Sequence, residues 1–327
     1  MGTLNASDRL TAMERVKRDG KDDQRKIIEA MCTVNELLLD LPAVEANDKT
    51  VHTQVVRTAL PHGSNRRYNA GVGTGASKTE TVKDIVTMSA IYSAIDRDLA
   101  NQASNKEEFL TQEAVSFIYG LAEDQALDMV YGNNALSPGD INGFGTRRAK
   151  LMEKLCLDFG GTTGNLTSLY LVGCGAGMVQ MLYPKGSKGA GVNREDRGVI
   201  DWDEIDEKGK PTGRKYPAYV NYYSADYGIA VGNQKALIRI ANIPPTADVN
   251  KLVEAVLAAR RYIPRQAQTV ALYANDDILA KFDKAAIEKN NVIYTAEDPW
   301  GKGITRIRDI RLRQVDAISA KEEKVVA

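Results

Sequence analysis

The sequence is poor in cysteine and histidine, the residue types on which most metal sites and acid–base catalysis depend. Its three cysteines, Cys32, Cys156 and Cys174, lie far apart, and its two histidines are His52 and His62. No CxxC pair is present, so neither a zinc site nor a disulfide framework is expected. Two histidines in one segment also leave few options for a Ser-His-Asp triad. We therefore expect no catalytic, cofactor-binding or metal-binding residues, and no cofactor.

Long apolar runs are missing as well. No stretch approaches the roughly 18 apolar residues that a membrane-spanning helix needs. The N-terminal residues, MGTLNASDRLTAMERVKRDG, lack the apolar core of a secretory signal peptide. Together with the scarce cysteines, these features favour a reducing cytosol and predict no membrane partner.

The sequence has no excess of either charge. Lys+Arg and Asp+Glu both number 43 among 327 residues, so the formal net charge is zero. Proteins whose main function is to bind nucleic acid usually have an excess of basic residues, and this sequence has no such excess. Weak self-repulsion instead favours association between copies. Hydrophobic residues make up 43% of the chain, which is enough for a real core.

Helical patterns dominate two parts of the N-terminal half. Residues 1–21 are polar and predict a flexible arm, and residues 22–41 carry apolar residues at helical spacing up to Pro42. A stronger apolar stripe covers residues 105–131, with Ser104 or Asn105 available as N-cap. At 1.5 Å per residue this second helix spans about 40 Å. It is long enough to serve as a spine for the molecule.

A long hairpin is predicted between these helices. Strand-like residues 51–60 and 79–90 bracket a glycine-rich segment, residues 61–78. A loop of this length is unusual inside a compact domain. We therefore expect the hairpin to leave its own domain and to lie on a neighbouring molecule.

The C-terminal half alternates strand and helix signals. Expected strands are 168–172, 179–183, 236–240, 270–273, 292–294 and 304–315, with a hydrophilic hairpin at 196–213 and a tyrosine-rich segment at 216–227. Expected helices are 248–262 and 275–287. In the last strand the arginines change parity, and a bulge near Asp309 would keep them on one face. The whole chain is therefore of the α+β class.

Two glycine runs and one acidic cluster resemble ligand sites without matching them. GVGTGASKT, residues 71–79, misplaces the lysine of a phosphate-binding loop, and GCGAG, residues 173–177, lacks the third glycine of a dinucleotide fingerprint. The acidic residues between 201 and 207 lack the spacing of a calcium loop. A hairpin tip, a tight turn and a solvated hairpin are the expected structures.

The hairpin carries cations near its tip. Arg57, Arg66, Arg67 and Lys78 make this region basic. These cations either improve solubility or dock on an acidic patch of a neighbouring subunit, and the sequence leaves both readings open. The candidates for inter-subunit contact are Arg57, His62, Arg66, Arg67, Tyr68 and Lys78.

Three segments carry a resemblance to a known family. They are EANDKTVHTQVVRTALPHGSNRRYNAGV (residues 45–72), TSLYLVGCGAGMVQMLYPKGSKGAG (residues 167–191) and ALIRIANI (residues 236–243). In this order they resemble the major capsid proteins of tailed bacteriophages with the Hong Kong 97-like fold, in a podophage-type branch. The resemblance implies an N-terminal arm (1–48), an extended loop (49–98), a peripheral domain with the spine helix (99–165), and an axial domain with the remaining peripheral strands (166–327).

The resemblance also implies a function. It predicts a structural head protein that forms pentamers and hexamers of itself and assembles in the host bacterial cytoplasm into an icosahedral virion shell around double-stranded DNA. Implied partners are portal, scaffolding and decoration proteins, with weak, non-specific contact to the DNA. The covalent lysine–asparagine cross-link of the archetype has no match here, and we expect none. The alternatives are an encapsulin-like nanocompartment shell and a nucleotide-binding α/β enzyme.

Overall fold

The computed structural model describes residues 36–162, 164–187, 191–205, 210–288, 294–295 and 306–327. The predicted arm and residues 22–35 of the helix predicted at 22–41 lie outside the described residues, as do Cys32, Asp206 and Glu207. Of the predicted helix, only its end at Leu37–Asp40 is described. The following Pro42 stops it, as expected.

Six α-helices are described. They are α1 Leu37–Asp40, α2 Arg97–Gln102, α3 Lys106–Tyr131, α4 Phe144–Arg147, α5 Val249–Arg260 and α6 Asp276–Glu288. Helix α3 is the expected spine helix, and its 26 residues correspond to about 39 Å. Its N-cap is Asn105, whose side chain accepts a hydrogen bond from the Glu108 amide.

Thirteen strands are described. They are β1 Ala43–Glu45, β2 Val51–Ala59, β3 Lys78–Asp96, β4 Cys156–Asp158, β5 Thr167–Cys174, β6 Val179–Tyr183, β7 Gly191–Ile205, β8 Pro211–Val231, β9 Leu237–Ile243, β10 Thr269–Ala274, β11 Tyr294–Thr295, β12 Arg306–Ile307 and β13 Ile310–Gln314. Along its main path the sheet runs β11-β12-β13-β10-β5-β6-β8-β3-β2. Strands β1, β4, β7 and β9 pair outside this path.

Strand β5 separates two hydrophobic cores. Every residue of β5 is buried, because both faces of the strand are covered. Tyr170 and Val172 face a core shared with α1 and α3. Leu169 and Leu171 face a second core shared with α5 and α6. The alternation of side chains along one strand thus places one layer of helices on each side of the sheet.

Helix α3 lies along β8. The ring of Phe117 stacks on Tyr223 with centroids 6.2 Å apart, and Tyr227 donates a 2.6 Å hydrogen bond to Asp128. These contacts advance together along both elements, so the helix and the strand run in the same direction. The opposite face of the helix is exposed.

Strand β3 joins the predicted hairpin to the body. Its first part pairs with β2, from Val51 opposite Ile85 to Arg57 opposite Thr79. From Val86 onward it pairs with β8 instead. A side chain at Gly228 of β8 would place its Cβ 2.6 Å from the Ile85 carbonyl oxygen. Only glycine permits this close approach where β3 changes partner.

The expected single strand at 304–315 is wrong. Residues 304–305 lie outside the described residues, and the remainder forms a tight hairpin of β12 and β13, with Ile307 opposite Ile310. The two residues between them are Arg308 and Asp309, and Arg308 has a φ of 56°. The parity of the arginines changes because the chain reverses there, and no bulge is involved.

Candidate assembly surfaces

The tip of the β2–β3 hairpin is the most exposed part of the described chain. Every residue from 60 to 80 is exposed, and Tyr68 has no part of its surface covered. Local order comes from a small turn, in which the Ala70 amide bonds the Arg67 carbonyl oxygen and Arg66 Nε donates to the Ala70 carbonyl oxygen at 3.0 Å. The turn fixes the backbone without burying a side chain. The tip is therefore open to solvent in the described chain.

The predicted contact residues occupy this hairpin but not one single spot. His62, Arg66, Arg67 and Tyr68 lie in the tip, and Lys78 begins β3. Arg57 lies in β2, opposite Thr79. No acidic residue occurs between positions 50 and 79. The segment between these positions is therefore basic.

The exposed face of α3 carries the opposite charge. Glu107, Glu108, Glu123 and Asp124 are exposed on this helix, and Glu113 and Asp128 are partly buried. Lys106 is the single cation of this helix, and its ammonium group contacts the Tyr219 hydroxyl and ring. Burial, with repulsion from Asp140 and Asp124, raises the pKa of Asp128. Added cations would relieve this repulsion. The helix was predicted from the sequence but its acidic side was not, although its carboxylates can be counted in the sequence.

A groove of about 740 Å³ opens at the N-terminal end of α3. Its apolar lining includes Ile95, Leu99 and Phe109, and Leu99 is more than half exposed. Three carboxylates and two cations border it: Asp96, Glu113, Glu204, Arg214 and Lys215. An apolar floor with a charged rim is typical of surfaces that receive a side chain from another molecule.

Aromatic side chains cluster on the strands β3, β7 and β8. The ring of Tyr92 lies 4.8 Å from that of Tyr222 and 5.6 Å from that of Trp202. The Arg197 guanidinium lies 5.2 Å from the Tyr92 centroid and 5.5 Å from the Tyr222 centroid. Tyr92 remains partly exposed in this cluster.

Neither glycine run forms a nucleotide loop. A strand, not a helix, follows each of them: β3 begins at Lys78, and β6 begins at Val179. Gly175 and Gly177 have φ angles of 147° and 71° and form the tight turn between β5 and β6. Phosphate binding in such motifs needs the N-terminus of a following helix, so this chemistry is not supplied.

The described residues offer little for catalysis or metal binding. They contain no group of three or more His, Cys, Asp or Glu side chains placed to hold a metal ion. Cys156 and Cys174 are buried, and burial raises the pKa of both thiols. Among the described helices, none combines the length and the apolar character needed to cross a membrane.

Comparison with known proteins places this geometry in a family. The family model described as major capsid protein GP7 matches residues 19–326. A chain of the near-atomic structure of bacteriophage Epsilon15 superimposes with a TM-score of 0.65 at 23% identity, over 87% of each chain. This similarity shows a shared fold and confirms the expected α+β fold class. No curated protein sequence gives a significant match.

More distant structures are also found. The bacteriophage JBD30 capsid has a TM-score of 0.47 at 9% identity, over 86% of this chain and 89% of the other. The SrpI encapsulin complex of Synechococcus elongatus PCC 7942 has a TM-score of 0.42 at 12% identity, over 65% and 88%. The family match favours a phage capsid over a nanocompartment shell. The chain belongs to the major capsid protein GP7 family and is a structural protein of a phage capsid shell.

Proposed function

We propose that copies of this protein associate as pentamers and hexamers and close into an icosahedral shell around a double-stranded DNA genome. The observation that carries the proposal is the hairpin tip, in which every residue from 60 to 80 is exposed. Ordering such a segment costs conformational entropy, which its own domain does not offset by burial. A neighbouring copy supplies the missing contacts.

The basic hairpin tip docks on the acidic face of α3 in a neighbouring copy. Arginine guanidinium groups pair well with carboxylates, and opposite potentials set the register of association. In this arrangement Arg66, Arg67 and Lys78 provide the positive side, and Arg57 and His62 belong to the same hairpin. Tyr68 enters the groove beside Phe109, because its ring is apolar and its hydroxyl tolerates a polar rim.

The proposal also assigns a structural part to each range of the chain. Residues 1–48 act as an arm, residues 49–98 as the extended loop, residues 99–165 as a peripheral domain, and residues 166–327 as the axial domain with the remaining peripheral strands. Each contact is weak and reversible, so misplaced subunits can leave. Closure then multiplies the contacts of every copy, and symmetry decides which surfaces meet.

The subunit is non-enzymatic in this account and acts together with other proteins. Assembly takes place in the host cytoplasm, with portal, scaffolding and decoration proteins as partners. A net charge of zero suits a shell that is filled by a motor. A strongly basic lining would hold the genome and hinder its release.

The docking proposal is tested by reversing charge at the tip. We expect Arg66→Glu/Arg67→Glu to remain folded but to lower the yield of shells at least tenfold, measured by sedimentation and negative-stain electron microscopy. A matched control, Lys150→Glu/Lys154→Glu, changes two exposed lysines outside the hairpin and should assemble normally.

A complementary reversal makes the test specific. The variant Glu107→Lys/Glu108→Lys reverses charge on α3 and should also assemble poorly alone. Combining both changes in one chain should restore part of the shell yield, since the charges again oppose each other. Normal assembly of the tip variant, or no recovery in the combined variant, contradicts the proposed docking.

A further inference from the structure

A second basic surface lies far along the chain from the hairpin, at the end of α5. A pocket of about 380 Å³ is lined by Arg260, Arg261, Arg265 and Arg308, together with Asp309. The pocket therefore holds four positive charges and one negative charge. Such a concentration is unusual in a chain whose total charge is zero.

One of the four arginines is already neutralised. Both Nε and one terminal nitrogen of Arg260 bond the same Asp309 carboxylate oxygen, at 2.9 and 2.6 Å. Within the described part of the chain, no carboxylate pairs with Arg261, Arg265 or Arg308. All three are exposed. The ion pair thus forms a fixed wall of the pocket, and three guanidinium groups remain for a ligand.

The backbone adds to this arrangement. Arg308 occupies a two-residue turn with a φ of 56°, a conformation that glycine, asparagine or aspartate usually adopts. This turn places Arg308 beside the end of α5, where the other three arginines lie. Mutual repulsion among the three unneutralised cations is relieved by an anion bound between them.

We infer that this pocket binds phosphate groups of the enclosed nucleic acid backbone. Guanidinium groups present paired donors that match phosphate oxygens, and such contacts carry no sequence preference. A pocket of this size accommodates one or two phosphate groups of a DNA strand. The inference rests on the proposed function as a genome-enclosing shell, and it locates the weak DNA contact on named residues.

A contact with a few phosphates suits a packaging shell. Each neutralised phosphate releases condensed counterions, so binding weakens steeply as salt rises. A single pocket on each subunit therefore gives weak, non-specific binding to unassembled protein. Many copies facing one genome add these contacts without trapping the DNA.

The test is the salt dependence of DNA binding by the full chain. We compare wild-type protein with the triple variant Arg261→Gln/Arg265→Gln/Arg308→Gln. Binding to a 20-base-pair duplex is measured by fluorescence anisotropy between 50 and 300 mM NaCl. Each phosphate contact contributes roughly 0.9 to the steepness of the plot of log K against log salt. We expect the slope to fall by about 1 to 2 in the triple variant, because the pocket holds one or two phosphates. The charge-matched control, Lys150→Gln/Lys154→Gln/Lys324→Gln, removes three exposed lysines outside the pocket and should change the slope by less than about 0.5.

Shell formation by the same variants separates this inference from the proposed function. An unchanged slope, or equal losses in variant and control, overturns the phosphate assignment even if shells form. An unchanged slope with lost assembly also overturns it and assigns the pocket to an acidic surface of another copy. Normal shells together with a reduced slope support the inference.

Discussion

Asp40 connects the start of the described chain to its last strands. Its side chain is fully buried, and its two carboxylate oxygens bond Arg313 at 2.7 and 3.1 Å and Arg311 at 3.1 Å. These hydrogen bonds raise the pKa of Arg313. The ion pair fixes the end of α1 against β13.

Removing this charge should destabilise the subunit. Asp40→Asn leaves two arginines facing one neutral amide, and we expect a loss of roughly 2 kcal/mol in the free energy of unfolding, since both arginines are partly exposed. Urea denaturation of unassembled protein measures it. Asp203→Asn, which removes an exposed partner of Lys215, should cost less than about 0.5 kcal/mol. Equal effects in the two variants would show that Asp40 is not an anchor.

Asp128 makes the stability of the subunit depend on pH. Burial raises its pKa in the folded state, so the folded protein binds this proton more tightly than the unfolded chain. The penalty for the charged form is present above the raised pKa and disappears as pH falls through it. Asp128→Asn lacks the penalty but keeps an oxygen to accept the Tyr227 hydrogen bond.

We therefore expect wild-type protein to gain stability relative to Asp128→Asn as pH is lowered from 7 toward 4. Urea denaturation of both proteins at pH 7, 5.5 and 4 gives the comparison. Glu123→Gln, an exposed change on the same helix, should show a smaller pH-dependent difference from wild type. A pH-independent difference between wild type and Asp128→Asn would contradict the assignment.

At the scale of elements, α3 has one weak position. Gly120 lies in the middle of the helix, and a Cβ added there would meet no heavy atom within 4 Å. Glycine in a helix interior is less favourable than alanine by roughly 0.5–1 kcal/mol. Gly120→Ala should therefore raise the free energy of unfolding of the unassembled subunit by that amount, measured in urea.

The contrasting change is Gly228→Ala, where the added Cβ would meet the Ile85 carbonyl oxygen. It should destabilise the subunit, because the added methyl group would push β8 away from β3 where β3 changes its pairing partner. Loss of stability in Gly120→Ala would mean that α3 packs differently from the structure described above. If shells then fail to form although the subunit is more stable, position 120 lies at a contact between copies.

Several elements were predictable because their signals are local. The apolar stripe of α3 and the strand Val179–Tyr183 follow from spacing, and Asn105 was one of the two candidates for the cap of α3. The turn at Arg308 was missed because it lacks the usual glycine or asparagine. The extent of β8 was also missed, since its 21 residues are held by pairing with β3, β6 and β7.

Long-range relations escaped sequence reasoning altogether. Asp40 and Arg313 are separated by most of the chain, and nothing near either residue indicates the other. The same holds for the arginine pocket, which is assembled from the end of α5 and the β12–β13 turn. The hairpin residues were named from sequence, because their glycine-rich setting is itself local. Their role as contacts remains a prediction.

At the scale of the whole molecule, charge is separated although its sum is zero. The hairpin is basic, the exposed face of α3 is acidic, and the arginine pocket forms a third region. Separated charges of opposite sign on one chain favour head-to-tail contacts between copies. Such contacts close into rings when the geometry permits, as a shell requires. Because the surfaces are exposed, assembly should weaken as salt screens them.

The central claim is that this chain builds a closed shell, and electron microscopy tests it most directly. The protein is expressed alone and with the products of its neighbouring genes, separated by size-exclusion chromatography, and imaged in negative stain. We predict closed angular shells, or pentameric and hexameric capsomers that convert to shells. A stable monomer or small dimer under every condition would contradict the account.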